Sequence, residues 1–179
     1  MRDELRPDAV AVIGKLKAAG YAIEMLSGDR TAAVAEMAQR VGIDTWAGEQ
    51  SPSDKIRRIE ALAAAGRKVL MVGDGLNDAP ALAAGHASLS PASATDISQT
   101  AADAVFQGES LSPIVEALDV GKGAHRRAME NFAIAIGYNA IFVPLAVIGF
   151  VTPLIAAIAM SGSSLAVTAN ALRLSRQRL

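Results

Sequence analysis

The sequence predicts an α/β domain on a parallel sheet, followed by two helices that cross a membrane, and three observations carry that prediction. Short apolar runs alternate with amphipathic helical stretches as far as about residue 119. The stretch Asn131–Leu172 contains no Asp, Glu, Lys, Arg or His. The net charge of −1 conceals two regimes: Met1–Asp119 holds 11 Lys/Arg against 17 Asp/Glu, and Val120–Leu179 holds 6 against 1. At 51% hydrophobic residues and a mean hydropathy of +0.30, the 179-residue chain is too apolar for an ordinary small soluble domain. Disorder and collagen-like repetition are excluded. The lack of cysteine excludes disulfide frameworks, zinc knuckles and thiol nucleophiles, and two histidines are too few for a histidine-built metal cluster.

The first helix is read at Pro7–Ala19 and the first strand at Tyr21–Leu26. A helix at Thr31–Val41 and another at Pro52–Ala65 follow, the latter opened by Ser51 with proline in its first turn. Lys68–Val72 is the clearest strand. After it come a short helix from about Asn77 to Ala84, a strand near Ala87–Leu89, a helix near Ala94–Ala101, a strand near Ala104–Phe106 and a long helix from about Ser112. Residues 1–119 are read as the folded domain, 120–130 as a connecting helix, 131–172 as the membrane hairpin and 173–179 as a basic tail.

Within the hairpin, Asn131–Phe150 and Pro153–Leu172 are 20 residues each. At about 1.5 Å per residue each spans roughly 30 Å, the hydrocarbon thickness of a bilayer. A buried pair of soluble helices is the alternative, and 42 uncharged residues beside a strongly charged domain weigh against it. Lys122, Arg126 and Arg127 precede the first span, and Arg173, Arg176 and Arg178 follow the second, which predicts that both ends are cytoplasmic. Met1-Arg2-Asp3-Glu4 does not open a signal peptide. The expected location is the inner or plasma membrane. Basic residues beside the spans and an acidic domain leave no nucleic-acid surface, and Arg126-Arg127 reads as an interfacial anchor.

In a parallel sheet, ligands gather at the carboxyl ends of the strands. One such end reads Ser27-Gly28-Asp29-Arg30, and another reads Gly73-Asp74-Gly75-Leu76-Asn77-Asp78. Asp74 and Asp78 offer the hard oxygens that Mg²⁺ prefers, while Ser27 and the Gly28 N–H suit phosphate oxygens. Lys55, in Ser51-Pro52-Ser53-Asp54-Lys55, suits neutralisation of phosphate charge. Each element alone also reads as a turn, a solvated lysine or a loop. Their order, Ser-Gly-Asp after one strand, Pro-x-x-Lys opening a later helix and Gly-Asp-Gly-x-Asn-Asp-Ala-Pro after the next strand, is what points to phosphoryl chemistry.

With these motifs the sequence resembles the haloacid-dehalogenase superfamily and, within it, the P-type ATPases. Asp3-Glu4-Leu5-Arg6-Pro7 looks like the hinge by which that family's chain returns from its nucleotide domain, and Gly73–Leu82 looks like its magnesium loop. The resemblance implies ATP and Mg²⁺ as cofactors. It implies that Asp74 ligates Mg²⁺, Asn77 contacts the phosphoryl group and Asp78 braces the site. By the same resemblance Ser27, Gly28 and Asp29 line the phosphate site, and Lys55 stabilises the phosphoryl charge.

The hairpin resembles that of the copper group, which carries Tyr-Asn in one helix and Met-x-x-Ser-Ser in the next; here these are Tyr138-Asn139 and Met160-Ser161-Gly162-Ser163-Ser164. The span centres fall near residues 140–141 and 162–163, so these groups lie near mid-membrane. Met160, Ser163 and Ser164 share a helical face by spacing. A thioether suits Cu(I) and Ag(I), whereas a zinc pump is expected to place a charge here. Ordinary helix packing is the competing reading of these five residues, since serine, asparagine and methionine also serve packing. Pro144 fits a kinked transport helix and an ordinary membrane helix alike. His86–Ile97 and Ala159–Leu174 further resemble the copper pumps linked to maturation of cbb-type cytochrome oxidases.

That family also needs an Asp-Lys-Thr-Gly segment, a nucleotide-binding domain, an actuator domain and a Cys-Pro-Cys helix, and none is in this sequence. Asp29-Arg30-Thr31 is not the nucleophile segment. The expectation is therefore the carboxyl-terminal part of a pump, inactive alone and one carboxylate short of a full Mg²⁺ site. Its partners would be membrane lipid, the remaining pump domains and transmembrane helices, and a copper chaperone or periplasmic acceptor. Two alternatives stay open: a membrane-tethered phosphatase of the same superfamily, and a non-enzymatic subunit that pairs with an intact pump.

Overall fold

The computed structural model describes residues 5–74 and 76–176. Gly75 of the Gly73–Leu82 loop, Asp3 and Glu4 of the Asp3–Pro7 segment, and Arg178 of the basic tail lie outside the described residues. The chain divides into two compact units, one up to Glu116 and one from Ala117 onward.

In the first unit the elements run α1 (Ala9–Ala18), β1 (Glu24–Leu26), α2 (Thr31–Val41), β2 (Thr45–Ala47), α3 (Pro52–Ala64) and β3 (Leu70–Val72). They continue with a 3₁₀ turn at Leu76–Asp78, α4 (Ala79–Ala84), β4 (Ala87–Pro91), α5 (Asp96–Ala101) and β5 (Ala104–Phe106), and α6 begins at Ser112. All strand pairings are parallel, as the alternation of strands and helices demands. The alternation predicts one sheet. Among the described residues there are two, β1-β2 and β3-β4-β5, and no ladder joins β1 to β3. The strand β2 has no counterpart in the sequence reading: three residues, two of them exposed, carry no apolar run to mark it.

Helix ends follow local chemistry. Gly42, at φ 77°, closes α2 in the left-handed conformation that costs glycine nothing. Ser51 and Asp54 form a reciprocal capping box at the start of α3, with Pro52 in the first turn. Asp8 stands at the head of α1 but does not cap it. Its carboxylate instead accepts from Ser110 Oγ at 2.5 Å and from the backbone N–H groups of Leu111 at 2.8 Å and Ser112 at 3.0 Å. The hydrogen bonds from Ser110 and then Leu111 hold the Asp8 carboxyl below its ordinary 3.8. A residue a hundred positions upstream thus caps α6. Arg6 adds to this clasp, donating to the Glu109 carbonyl at 3.1 Å and lying 5.9 Å from the Phe106 ring centroid.

The core beside β1 is small: Ala9, Ala38, Val41 and Ile43 are buried, with Leu5, Ile13, Ile23, Met25 and Leu111 against them. Around β4, Leu82 and Ala81 of α4 are fully buried, and Ser88 exchanges hydrogen bonds with Asp103, fixing the approach to β5.

In the second unit α6 runs without a break to Val147, so residues 120–130 are part of one 36-residue helix. After a turn at 148–152, α7 covers Pro153–Arg176. Both are long and apolar enough to cross a membrane. Gly149, at φ 82°, closes α6, and the Phe150 N–H reaches the Leu145 carbonyl at 3.0 Å. Pro144 leaves the Ala140 carbonyl without its usual helical donor. Ile136, Ile158 and Leu165 are each more than 60% exposed, a surface that only a non-aqueous neighbour makes tolerable.

Candidate functional site

The loops after β1, β2 and β3 carry the polar residues singled out from the sequence. After β1, the Ser27 hydroxyl donates to Asp29 Oδ2 at 2.7 Å and accepts from the Asp29 N–H at 3.2 Å. Ser27 N–H is used by the Ala47 carbonyl at 3.0 Å. The serine is therefore a loop-shaping group here, and its hydroxyl must leave Asp29 to donate to a phosphate. Gly28 and Asp29 are exposed.

The loop after β2 is laced to it, with Gln50 N–H donating to the Ser27 carbonyl at 2.9 Å and Glu49 N–H to the Asp29 carbonyl at 2.7 Å. Thr31 Oγ1 donates to Glu49 Oε2 at 2.8 Å. A Cβ on Gly48 would stand 2.7 Å from Thr31 Cα, so this crossing accepts only glycine. Glu49 and Gln50 escaped the sequence reading because their roles depend on β2, which itself left no apolar signature.

The lacing ends at Ser51, where the capping box aims the first turn of α3 and sets Lys55. Hydrogen bonds from Ser51, side chain first and then backbone, hold the Asp54 carboxyl below its ordinary value. Lys55 Nζ donates to Asp78 Oδ1 at 2.6 Å, with side-chain exposures of 10% and 14%. This largely buried pair is the strongest electrostatic feature of the site, because desolvated charges bind each other far more strongly than exposed ones. It joins the Pro-x-x-Lys element to the Gly-Asp-Gly-x-Asn-Asp element, 23 residues apart in the chain.

Gly73 makes the pair possible: a Cβ there would lie 2.9 Å from Asp78 Cβ, so the Asp78 side chain folds back over a bare backbone. Asn77, in the 3₁₀ turn, and Asp74 are both exposed. The helix expected from Asn77 starts two residues later as α4.

As a cation site, the loop presents one open carboxylate, Asp74, and a second, Asp78, already engaged by Lys55. No group of three or more metal-ligating side chains occurs among the described residues. That donor set fits Mg²⁺ keeping most of its water shell, as magnesium commonly does beside phosphate, and does not form a closed cage.

In the hairpin, Asn139 Nδ2 donates to the Ala135 carbonyl at 2.9 Å, and Ser161 Oγ to the Ala157 carbonyl at 2.9 Å, both back-bonds along their own helix. Tyr138 stacks on Phe142 with centroids 4.6 Å apart. Tyr138 and Ser163 are half-buried, whereas Asn139, Met160 and Ser164 are exposed. The five candidates therefore do not converge within the two helices; three of them point outward.

The family model for haloacid dehalogenase-like hydrolases matches residues 1–86. Among curated proteins, the chain is 53% identical over 97% of its length to the nitrogen fixation protein FixI of Bradyrhizobium diazoefficiens, covering 24% of that protein. It is 37% identical, over 97% of its length, to a probable copper-exporting P-type ATPase V of Mycobacterium tuberculosis, covering 23%. Among solved structures, a zinc-transporting PIB-type ATPase in an E2·Pi state matches with a TM-score of 0.91 at 34% identity, over 96% of this chain and 28% of that one. The chain spans about a quarter of the length of the curated relatives it matches.

Proposed function

We propose that this chain, similar to P-type ATPases and haloacid-dehalogenase-like in its folded unit, serves an ATP-driven heavy-metal transporter whose cargo is Cu(I), with Ag(I) as its analogue. The observation that carries this reading is the Lys55–Asp78 pair, on the loop that also exposes Asp74 and Asn77, in the same chain as an uncharged hairpin. The pair fixes a lysine beside the loop that would meet a phosphoryl group, so positive charge stands ready without reorganisation. Asp74 would hold Mg²⁺, which supplies Lewis-acid neutralisation of phosphate oxygens. Asn77 would orient the phosphoryl group, and Ser27 and Gly28 would donate to its oxygens once Asp29 yields.

The unpaired second edges of β1 and β3 support the reading that a further strand joins the two sheets in an intact pump, bringing the Asp-Lys-Thr-Gly nucleophile that these residues lack. On that reading the isolated segment does not turn over ATP, and its partners are the actuator and nucleotide-binding domains and the other transmembrane helices. The basic flanks support a cytoplasmic domain and carboxyl terminus with the hairpin crossing the membrane twice. Similarity to FixI supports the subgroup linked to cbb-type oxidase maturation.

The cargo assignment rests on Met160 and on two spans without charge. Outward exposure of Met160, Asn139 and Ser164 supports a site completed by other helices of the pump. The test is ATPase activity of the intact pump in membranes with Cu(I), Ag(I), Zn²⁺ or no metal, beside a Met160→Ala variant. Stimulation by Cu(I) and Ag(I) that is lost in the variant is the expected result. Stimulation by Zn²⁺ alone, or indifference to Met160, overturns the cargo assignment.

A further inference from the structure

Within the uncharged part of α6, Asn131, Ala135, Tyr138 and Phe142 are the half-buried positions, and in α7 up to Arg173 the half-buried or buried ones are Ala159, Ser163, Val167 and Asn170. Both sets recur at steps of three and four, the spacing of a single helix face. A hydrogen bond links the two helices at one end of these faces, Asn170 Nδ2 to Asn131 Oδ1 at 2.9 Å. Asn170 is 9% exposed. Glu130, next to Asn131 in the chain, is itself held by Arg127 Nη1 at 2.7 Å and Arg126 Nε at 3.2 Å. The Asn170 amide NH₂ donates and the Asn131 amide oxygen accepts.

From this bond, α6 runs forward and α7 runs back with the same rise of about 1.5 Å per residue. Tyr138 lies seven residues beyond Asn131, and Ser163 lies seven residues before Asn170. Phe142 and Ala159 are each eleven away, and Ala135 and Val167 four and three. Every shielded residue of α6 therefore has a shielded residue of α7 at its own depth. Apolar stripes of alanine, valine and phenylalanine do not choose among registers, because lipid is as apolar as they are. A directional polar bond does, and slipping α7 by one residue would turn its face by about 100°.

We propose that Asn131 and Asn170 form a polar latch that sets the register of α7 on α6, and so fixes Ser163, with Met160 and Ser164 beside it, at the depth of Tyr138 and Asn139. Asn131 and Asn170 are positioning residues for the cargo site, an assignment that rests on the transport reading above. Asn131→Asp keeps the acceptor that Asn170 uses; Asn170→Leu removes the donor and keeps the bulk.

The experiment measures Cu(I)-stimulated ATPase of the intact pump in membranes. Asn170→Leu is expected to raise the half-maximal Cu(I) concentration about tenfold with the maximal rate within about twofold, while Asn131→Asp stays at the wild-type value. An unchanged half-maximal concentration in Asn170→Leu, or a lost maximal rate at unchanged half-maximal concentration, overturns the latch. If the unaltered pump responds to none of Cu(I), Ag(I) and Zn²⁺, the transport reading has failed, and the register is decided separately. For this, Tyr138→Cys is combined with Ser163→Cys, and disulfide formation is read after cleavage at a protease site built into the 148–152 turn. The pair is expected to cross-link, and its yield to fall to that of Tyr138→Cys with outward-facing Leu165→Cys once Asn170→Leu is added. Equal yields with and without Asn170→Leu overturn the latch.

Discussion

The two units use polar groups in opposite ways. In the first, short strands are held by many local bonds, and charge is buried where two motifs meet, as at Lys55–Asp78. In the second, long helices supply their own backbone bonds, most side chains are exposed, and the described polar contact between helices is concentrated at Asn131–Asn170. The difference is one of solvent. Water competes for every polar group of the first unit, so its site is built by exclusion; the helix faces of the second are mostly apolar, so the polar bond at their charged end is the directional contact between them.

The largest effect that sharpens this comparison is Lys55→Met. Removing the cation from a largely buried carboxylate is expected to cost about 3 kcal/mol, read as a fall in the denaturation midpoint of the α/β unit in the intact protein, with ATPase activity lost on the proposed reading. An unchanged midpoint would show that Asp78 is held by its other contacts. Next comes a matched pair of exposed positions. Val10 in α1 is 58% exposed and Ile158 in α7 is 64% exposed. Val10→Lys is expected to change stability by less than about 0.5 kcal/mol, whereas Ile158→Lys is expected to penalise membrane insertion by about 3 kcal/mol in a glycosylation-reporter assay. Equal tolerance at both sites would remove the membrane reading of the hairpin.

Smaller is the clasp on α6. Asp8→Ala is expected to destabilise the domain by about 1–2 kcal/mol, as loss of a helix cap does. Because the folded-state carboxyl lies below its unfolded value of 3.8, the contribution is complete above that value and fades as pH falls through the lower folded one. A pH series of melting curves should therefore show the wild-type advantage over Asp8→Asn shrinking below about pH 4. Smallest is Ser51→Ala, which opens the capping box of α3 for about 1 kcal/mol and should lower activity only as far as Lys55 loses its aim. Loss of activity far beyond loss of stability would give Ser51 a direct role at the site.

Much of this arrangement was legible beforehand. The bounds of α2 and the start of α6 at Ser112 agree with the sequence reading, because apolar periodicity and cap residues are local signals. The loops of the proposed site were legible as loops for a related reason: glycine where a side chain must fold over the backbone, as at Gly73, and carboxylates after strands leave a pattern in the chain. β2 was not legible, since a three-residue, partly exposed strand is defined by its partner rather than by composition. Neither was the division into two sheets, which alternation alone predicts as one.

By itself, then, the sequence determined where helices begin, which strand ends carry polar loops and which 42 residues avoid charge, because these depend on spacing and composition along the chain. The tertiary structure decided that Asp8 caps α6 rather than its own helix, that Ser27 serves Asp29, that Lys55 meets Asp78 and that Asn170 meets Asn131. Those are pairings between residues 2 to 104 positions apart, and a short polar side chain selects its partner by distance and direction in space, which one-dimensional order does not encode.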